Sequence, residues 1–89
     1  MAKKVLTDAF IRAQRVEKRS EFSDTRETGL MLCVFPTGTK VFAFRMRGPD
    51  GRIQGTAIGS YPDMKLSEAR ERAADLRRRI KSGEDITAA

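Results

Sequence analysis

Most of the ionisable side chains in this sequence are cationic. Lysine and arginine number 18 against 12 aspartates and glutamates, a formal net charge of +6. The isoelectric point is near 10.1. A surface of this kind attracts polyanions, of which nucleic acid is the commonest. The most informative spacing runs from Lys40 to Arg47, as Lys-Val-Phe-Ala-Phe-Arg-Met-Arg. Successive side chains of a strand point to opposite faces. Phe42, Phe44 and Met46 therefore share one face, and Val41, Ala43, Arg45 and Arg47 share the other. Small side chains at the centre with long cations at the rim form a ridge that can enter a major groove about 12 Å wide. Arg45 and Arg47 could take guanine edges bidentately or phosphates. Lys40 and Arg52, at the strand ends, could hold the nucleic-acid backbone, and Thr39 and Ala43 complete the candidate set. A solvated sheet face whose arginines keep the edges soluble accounts for the same pattern equally well.

A second basic group lies between Lys65 and Lys81, where seven residues are lysine or arginine. Arg72 can pair with Glu68 and Arg79 with Asp75, each at i,i+4 on a helix. Arg70, Arg77 and Lys81 have no acid three or four residues away within that segment. They form a secondary flank that could touch phosphate or a protein partner, or simply face solvent.

Other chemistries lack their residues. There is no histidine and one cysteine, Cys33. The usual general base and the Ser-His and Cys-His pairs are missing, so no catalytic residue is assigned. An internal disulfide is impossible, and one soft ligand cannot hold zinc, so no metal or cofactor is expected. Tyr61, the single tyrosine, has no histidine to assist it and is expected to pack against the end of the sheet. Gly48, Gly51 and Gly55 make no phosphate loop, because no Gly-Lys-Ser/Thr opens a helix. No apolar run approaches the roughly 18 residues of a membrane span. The basic start is followed by polar residues rather than a signal-peptide core. A cytoplasmic, nucleoid-associated protein is the expectation, with no membrane and no small-molecule substrate.

The elements that must position these residues follow from pattern. The 89 residues suffice for one small domain. Thr7 is placed to cap a short N-terminal helix, with Leu6 and Ile11 as a hydrophobic staple. Residues 14–28 are polar and aperiodic and read as a connection. Three strands are predicted at 29–35, 40–47 and 52–59, with turns at Pro36-Thr37-Gly38-Thr39 and Gly48-Pro49-Asp50-Gly51. A three-residue loop closed by a left-handed Gly51 would pair Phe42 with Ile58, Phe44 with Thr56 and Met46 with Gln54. It would also pair Ala43 with Ala57, Arg45 with Gly55 and Arg47 with Ile53. Met31 and Cys33 share the Arg45 face. A helix over 67–82, capped by Ser67 and ended by Gly83, carries a stripe of Leu66, Ala69, Ala73, Leu76 and Ile80 about 80° wide. Its only large apolar partner is the Phe42, Phe44 and Ile58 face. The expected fold is α+β: a three-stranded antiparallel sheet on one C-terminal helix, with one sheet face open for binding.

An ordered set of short segments carries a more specific signal. It comprises Ser23-Asp24, Gly29-Leu30-Met31-Leu32-Cys33-Val34, Gly38-Thr39-Lys40 with Phe42, and Arg45-Met46-Arg47. It continues with Ile58-Gly59-Ser60-Tyr61-Pro62, Leu66-Ser67-Glu68-Ala69-Arg70 and Gly83-Glu84-Asp85. From about Leu6 to Asp85 the chain resembles the N-terminal arm-DNA-binding domain of phage and genomic-island integrases of the tyrosine recombinase family. The resemblance implies a sheet that lays its open face into the major groove of an arm-type site during site-specific recombination. It implies double-stranded DNA as partner, with other integrase subunits or accessory recombination proteins. It also implies that the tyrosine nucleophile lies in other domains, and that residues 84–89 begin a linker to them. The chain departs from the pattern at Phe42, where tryptophan is frequent, and at Met46, where an aromatic is frequent. It departs again at Ile86, where proline is frequent, and at Ala43, where a polar or basic residue would add a contact. A protein-interaction module using the Arg70, Arg77 and Lys81 flank is the competing reading. An RNA binder ranks lower, because Phe42 and Phe44 point inward rather than offering stacking platforms.

Overall fold

The structure, a computed structural model, describes residues 2–86. In chain order it contains strand β1 (Ala2–Lys4), helix α1 (Asp8–Ala13) and strands β2 (Ser20–Asp24), β3 (Leu30–Val34), β4 (Lys40–Arg47) and β5 (Ile53–Tyr61). Helix α2 (Leu66–Lys81) follows. The architecture is α+β with a C-terminal helix, but the sheet has five strands in the order β1-β2-β3-β4-β5, not three. Only β1 and β2 are parallel; the other neighbours are antiparallel.

Both additional strands lie where the sequence offers little periodicity. β2 falls inside the stretch expected to be a connection, and its only large apolar residue is Phe22. Phe22 partners Leu32, which brings it to the core side of the sheet, where its ring meets Phe10 edge-on at 5.1 Å. β1 is short and carries Lys3 and Lys4. Short, charged edge strands resist pairing with other chains, and that composition conceals them from a search for apolar alternation.

The core is built by β3, β4 and α2, with Leu6 and Ile11 from the N-terminal segment. Leu30, Leu32, Val34, Phe42, Phe44, Ala69, Ala73, Leu76 and Ile80 are buried in one cluster with them. The expected helix stripe thus packs on the Phe42 and Phe44 face, while Ile58 and Leu66 are only partly buried at its margin. Thr7 caps α1 by accepting from the Phe10 amide at 3.1 Å. Leu6 and Ile11 close the staple across that cap.

Two turns of the same kind set the register of the meander. In the β4–β5 turn the Gly51 amide donates to Gly48 O at 3.0 Å, and the Gly48 amide donates to Arg52 O at 2.8 Å. Gly51 has φ +84°. This is the expected three-residue loop, a type I turn closed by a left-handed residue. Five of the six expected pairs follow, from Ala43 with Ala57 to Arg47 with Ile53. Phe42 pairs with Gly59 rather than Ile58, because the register shifts between Phe42 and Ala43. A bulge inserts one residue and changes what lies opposite beyond it.

At the start of α2 the cap is Lys65, not Ser67. Its amide donates to the Glu68 carboxylate at 3.0 Å. The far end meets expectation: Gly83, at φ +97°, sends its amide to Ile80 O, and the Glu84 amide reaches Arg79 O. These two bonds form a Schellman motif. Beyond it, Gln54 holds the chain by donating to Glu84 O at 3.5 Å and accepting from the Ile86 amide at 2.8 Å. Of the expected linker over 84–89, residues 87–89 lie outside the described residues. No described helix is long and apolar enough to cross a membrane.

Candidate nucleic-acid interface

The sheet face opposite α2 can be read from the strand registers. Lys3 lies beside Ser23, Ser23 beside Met31, and Met31 beside Ala43 and then Ala57. One row over, Glu21 lies beside Cys33 and then Val41 and Ser60. Arg45 faces Gly55 and Arg47 faces Ile53, which is 59% exposed. The expected grouping of Val41, Ala43, Arg45 and Arg47 with Gly55 and Ala57 is therefore present on one surface.

Arg45 lies on this face one residue beyond the last β3–β4 pair, opposite Gly55. Its amide donates to Gly29 O at 3.0 Å. Gly29 has φ +92°, and a Cβ there would come within 2.5 Å of the Phe44 ring. A side chain at position 29 would strain the backbone and drive into the core, so glycine is what lets the β2–β3 connection reach Arg45. The Arg45 guanidinium reaches Met31 Sδ at 3.5 Å and Glu21 Oε1 at 3.5 Å. Arg47 donates to Gly51 O at 2.5 Å, which ties it to the β4–β5 turn. Arg52, in that turn, is exposed, and its amide is held by Asp50 at 3.0 Å. Thr39 is exposed in the β3–β4 turn, and Ala43 is half-buried.

Part of this face is covered by residues the sequence reading passed over. Arg19 lies 2.8 Å from Glu21 Oε2, reaches Cys33 Sγ at 3.7 Å and stands 5.6 Å over the Phe35 ring. Met31 and Cys33 are only 4% and 6% exposed despite facing away from α2. Burial pushes the Cys33 thiol up from its ordinary value. Arg19 and Glu21 were missed because residues 14–28 read as a connection. The signal available was Phe22 flanked by polar residues, a period-2 fragment too short to stand out.

Lys40 departs from its expected position. It shares the core face with Phe42, is 8% exposed, and donates from Nζ to Arg12 O at 3.2 Å. That carbonyl belongs to the last turn of α1, where carbonyls lack helical partners and the dipole favours a cation. Lys40 is thus the C-terminal clasp of α1, and the period-2 rule that exposes Arg45 is the one that turns Lys40 inward.

The helix flank also changes character. Arg70 pairs with Asp24 at 2.9 Å and donates to Leu6 O at 2.7 Å. Arg77 pairs with Glu27, in the β2–β3 connection. Intrahelical spacing left both without acids, and the fold supplies partners 46 and 50 residues away. Neither is a free binding cation; Lys81 is exposed. The expected i,i+4 pairs are replaced as well. Asp75 pairs with Arg78 at 3.2 Å, Arg79 pairs with Glu84 at 3.3 Å, and Glu68 serves the Lys65 amide.

Residues 6–89 match the model of the family described as the arm DNA-binding domain. The chain belongs to that family. It is 39% identical over 84 residues to the prophage integrase IntZ of Escherichia coli (strain K12), an alignment covering 93% of this chain and 21% of that protein. The chain thus spans about a fifth of the length of that integrase. This arm domain accordingly presents Arg45, Arg47 and Arg52 on the sheet face and turn that α2 leaves uncovered. It commits Lys40, Arg70 and Arg77 to holding the fold together.

Proposed function

We propose that the arm domain binds duplex DNA sequence-specifically by laying the open face of β3, β4 and β5 into the major groove. On this reading it serves as the arm-site module of an integrase in site-specific recombination, while strand exchange is carried out by other domains of the parent protein. The observation that carries the proposal is the sorting of cations. Those on the uncovered face, Arg45 and Arg47 with Arg52 at its rim, end at the surface, whereas Arg70 and Arg77 are paired internally. The centre of the face is low, with Ala43, Gly55 and Ala57 in adjacent positions. A low centre and tall cationic rim suit a groove whose floor carries base edges and whose walls carry phosphates. Ile53 and Val41 supply apolar surface for thymine methyls.

Arg45 takes the base-reading role in this proposal, and Arg47, Arg52 and Lys3 hold the backbone. The test is a titration with duplex DNA followed by amide chemical shifts. Binding as proposed moves the signals of residues 40–58 and leaves those of α2 in place. With about three phosphates neutralised, log affinity falls with log salt at a slope of about −2.7. Shifts confined to the Lys81 end of α2 would instead favour a helix-flank interaction module.

A further inference from the structure

We propose that Glu21 is a positioning residue that sets the sequence specificity of the open face, by holding the Arg45 guanidinium and by denying that part of the face to phosphate. The inference rests on the DNA-binding reading above. Among the described strand residues of the open face, Glu21 is the sole carboxylate. It stands between two arginines, with Oε2 2.8 Å from Arg19 and Oε1 3.5 Å from Arg45. The floor beneath is Met31 and Cys33, each touched by one of the same guanidiniums. An acid beside a polyanion-binding surface opposes affinity, so a purely electrostatic interface gains nothing from it.

Specificity does gain from it. A free arginine finds phosphate at every sequence, because phosphates line every groove. An arginine fixed by a carboxylate keeps the plane of its fork and has fewer orientations to lose on binding. Guanidinium carries five N–H donors. The described contacts of Arg45 with Glu21 and Met31 engage Nη2 alone, and a guanine edge needs two donors. The carboxylate therefore subtracts from sequence-independent attraction while leaving a bidentate base contact available.

The experiment measures binding of the 89-residue chain and its Glu21→Gln variant by fluorescence anisotropy across roughly 50 to 200 mM salt. One probe is the duplex that the wild type enriches from a random-sequence pool; the other is the unselected pool. Glutamine keeps the shape and removes the charge. The variant should bind the unselected pool more tightly, with a salt slope steeper by about 0.9, as one more arginine neutralises a phosphate. Its preference for the selected duplex should fall by about fivefold, the low end of what one bidentate contact discriminates. In an Arg45→Ala background, Glu21→Gln should leave the preference unchanged, since the arginine it positions is gone. Equal tightening on both DNAs would overturn the proposal, because charge alone would then explain it. Weaker binding to the selected duplex alone, at unchanged slope, would overturn it in favour of a direct carboxylate–base contact. A wild type that binds neither DNA would sink the DNA-binding reading itself. A wild type that binds, with a preference that Glu21→Gln leaves untouched, would sink only the role of Glu21.

Discussion

Asp24 shows how one side chain can serve three segments at once. Burial would raise its carboxyl above the ordinary value. The bonds from Arg70 and from the Leu6 and Arg26 amides outweigh burial and hold it below. A carboxylate whose folded value is depressed contributes stability that is fully present above its unfolded value, near 3.8. That contribution is lost as pH falls through the folded value. Denaturant midpoints should therefore drop below about pH 4, and less steeply in Asp24→Asn, which has no such charge to lose. Asp24→Ala should cost about 2–3 kcal/mol at neutral pH, somewhat under a fully buried pair because Arg70 keeps some exposure. Arg45 and Lys40, both candidates on β4, should separate cleanly. Arg45→Ala is expected to lose about 1–3 kcal/mol of discrimination between selected and random duplex in competition binding. Lys40→Ala is expected to leave the salt slope unchanged and to lower stability by about 1 kcal/mol, since it unfastens the end of α1.

At the scale of elements, the path of the β2–β3 connection depends on Gly29. Gly29→Ala combines a left-handed backbone strain with intrusion on the Phe44 ring, and should cost about 2 kcal/mol or more in chemical denaturation. A matching change at Gly38, whose added Cβ meets nothing within 4 Å, would carry the strain alone and cost less. The same contrast explains what was legible in the sequence. β4 and α2 announce themselves because each buries a periodic apolar set, β3 because it is apolar throughout, and β5 because a strong turn precedes it; the two Pro-x-Gly turns fix how β3, β4 and β5 align. The only large apolar side chain of β1 and β2 is the partly buried Phe22, and their one buried residue among those described is the charged Asp24, so side-chain pattern does not reveal their pairing. The site divides along that line. Arg45, Arg47 and Arg52 could be placed from β4 periodicity and turn type. Arg19, Glu21 and Lys3 could not, because their positions depend on β1 and β2. Arg70 and Arg77 looked free only because their acids lie far off in sequence.

At the scale of the whole molecule, the N-terminal segment and α2 are joined through the end of β2. Leu6, Asp24 and Arg70 share one hydrogen-bonded junction, with Leu6 and Arg70 separated by 64 residues. A chain truncated before Arg70 should fail to give a dispersed amide spectrum, for it would lack both the helix that covers Phe42 and Phe44 and the partner of a buried carboxylate. The junction also bears on how the domain comes into being. A ribosome adds roughly 5–20 residues per second. Asp24 and Arg70 lie 46 residues apart, so Asp24 waits about 2–9 seconds for its partner to be synthesised. During that interval the meander can zip up locally, but its inner face has no helix to lie against. The domain is then a late folder on the ribosome, with its final docking step timed by the arrival of α2 rather than by the formation of the sheet.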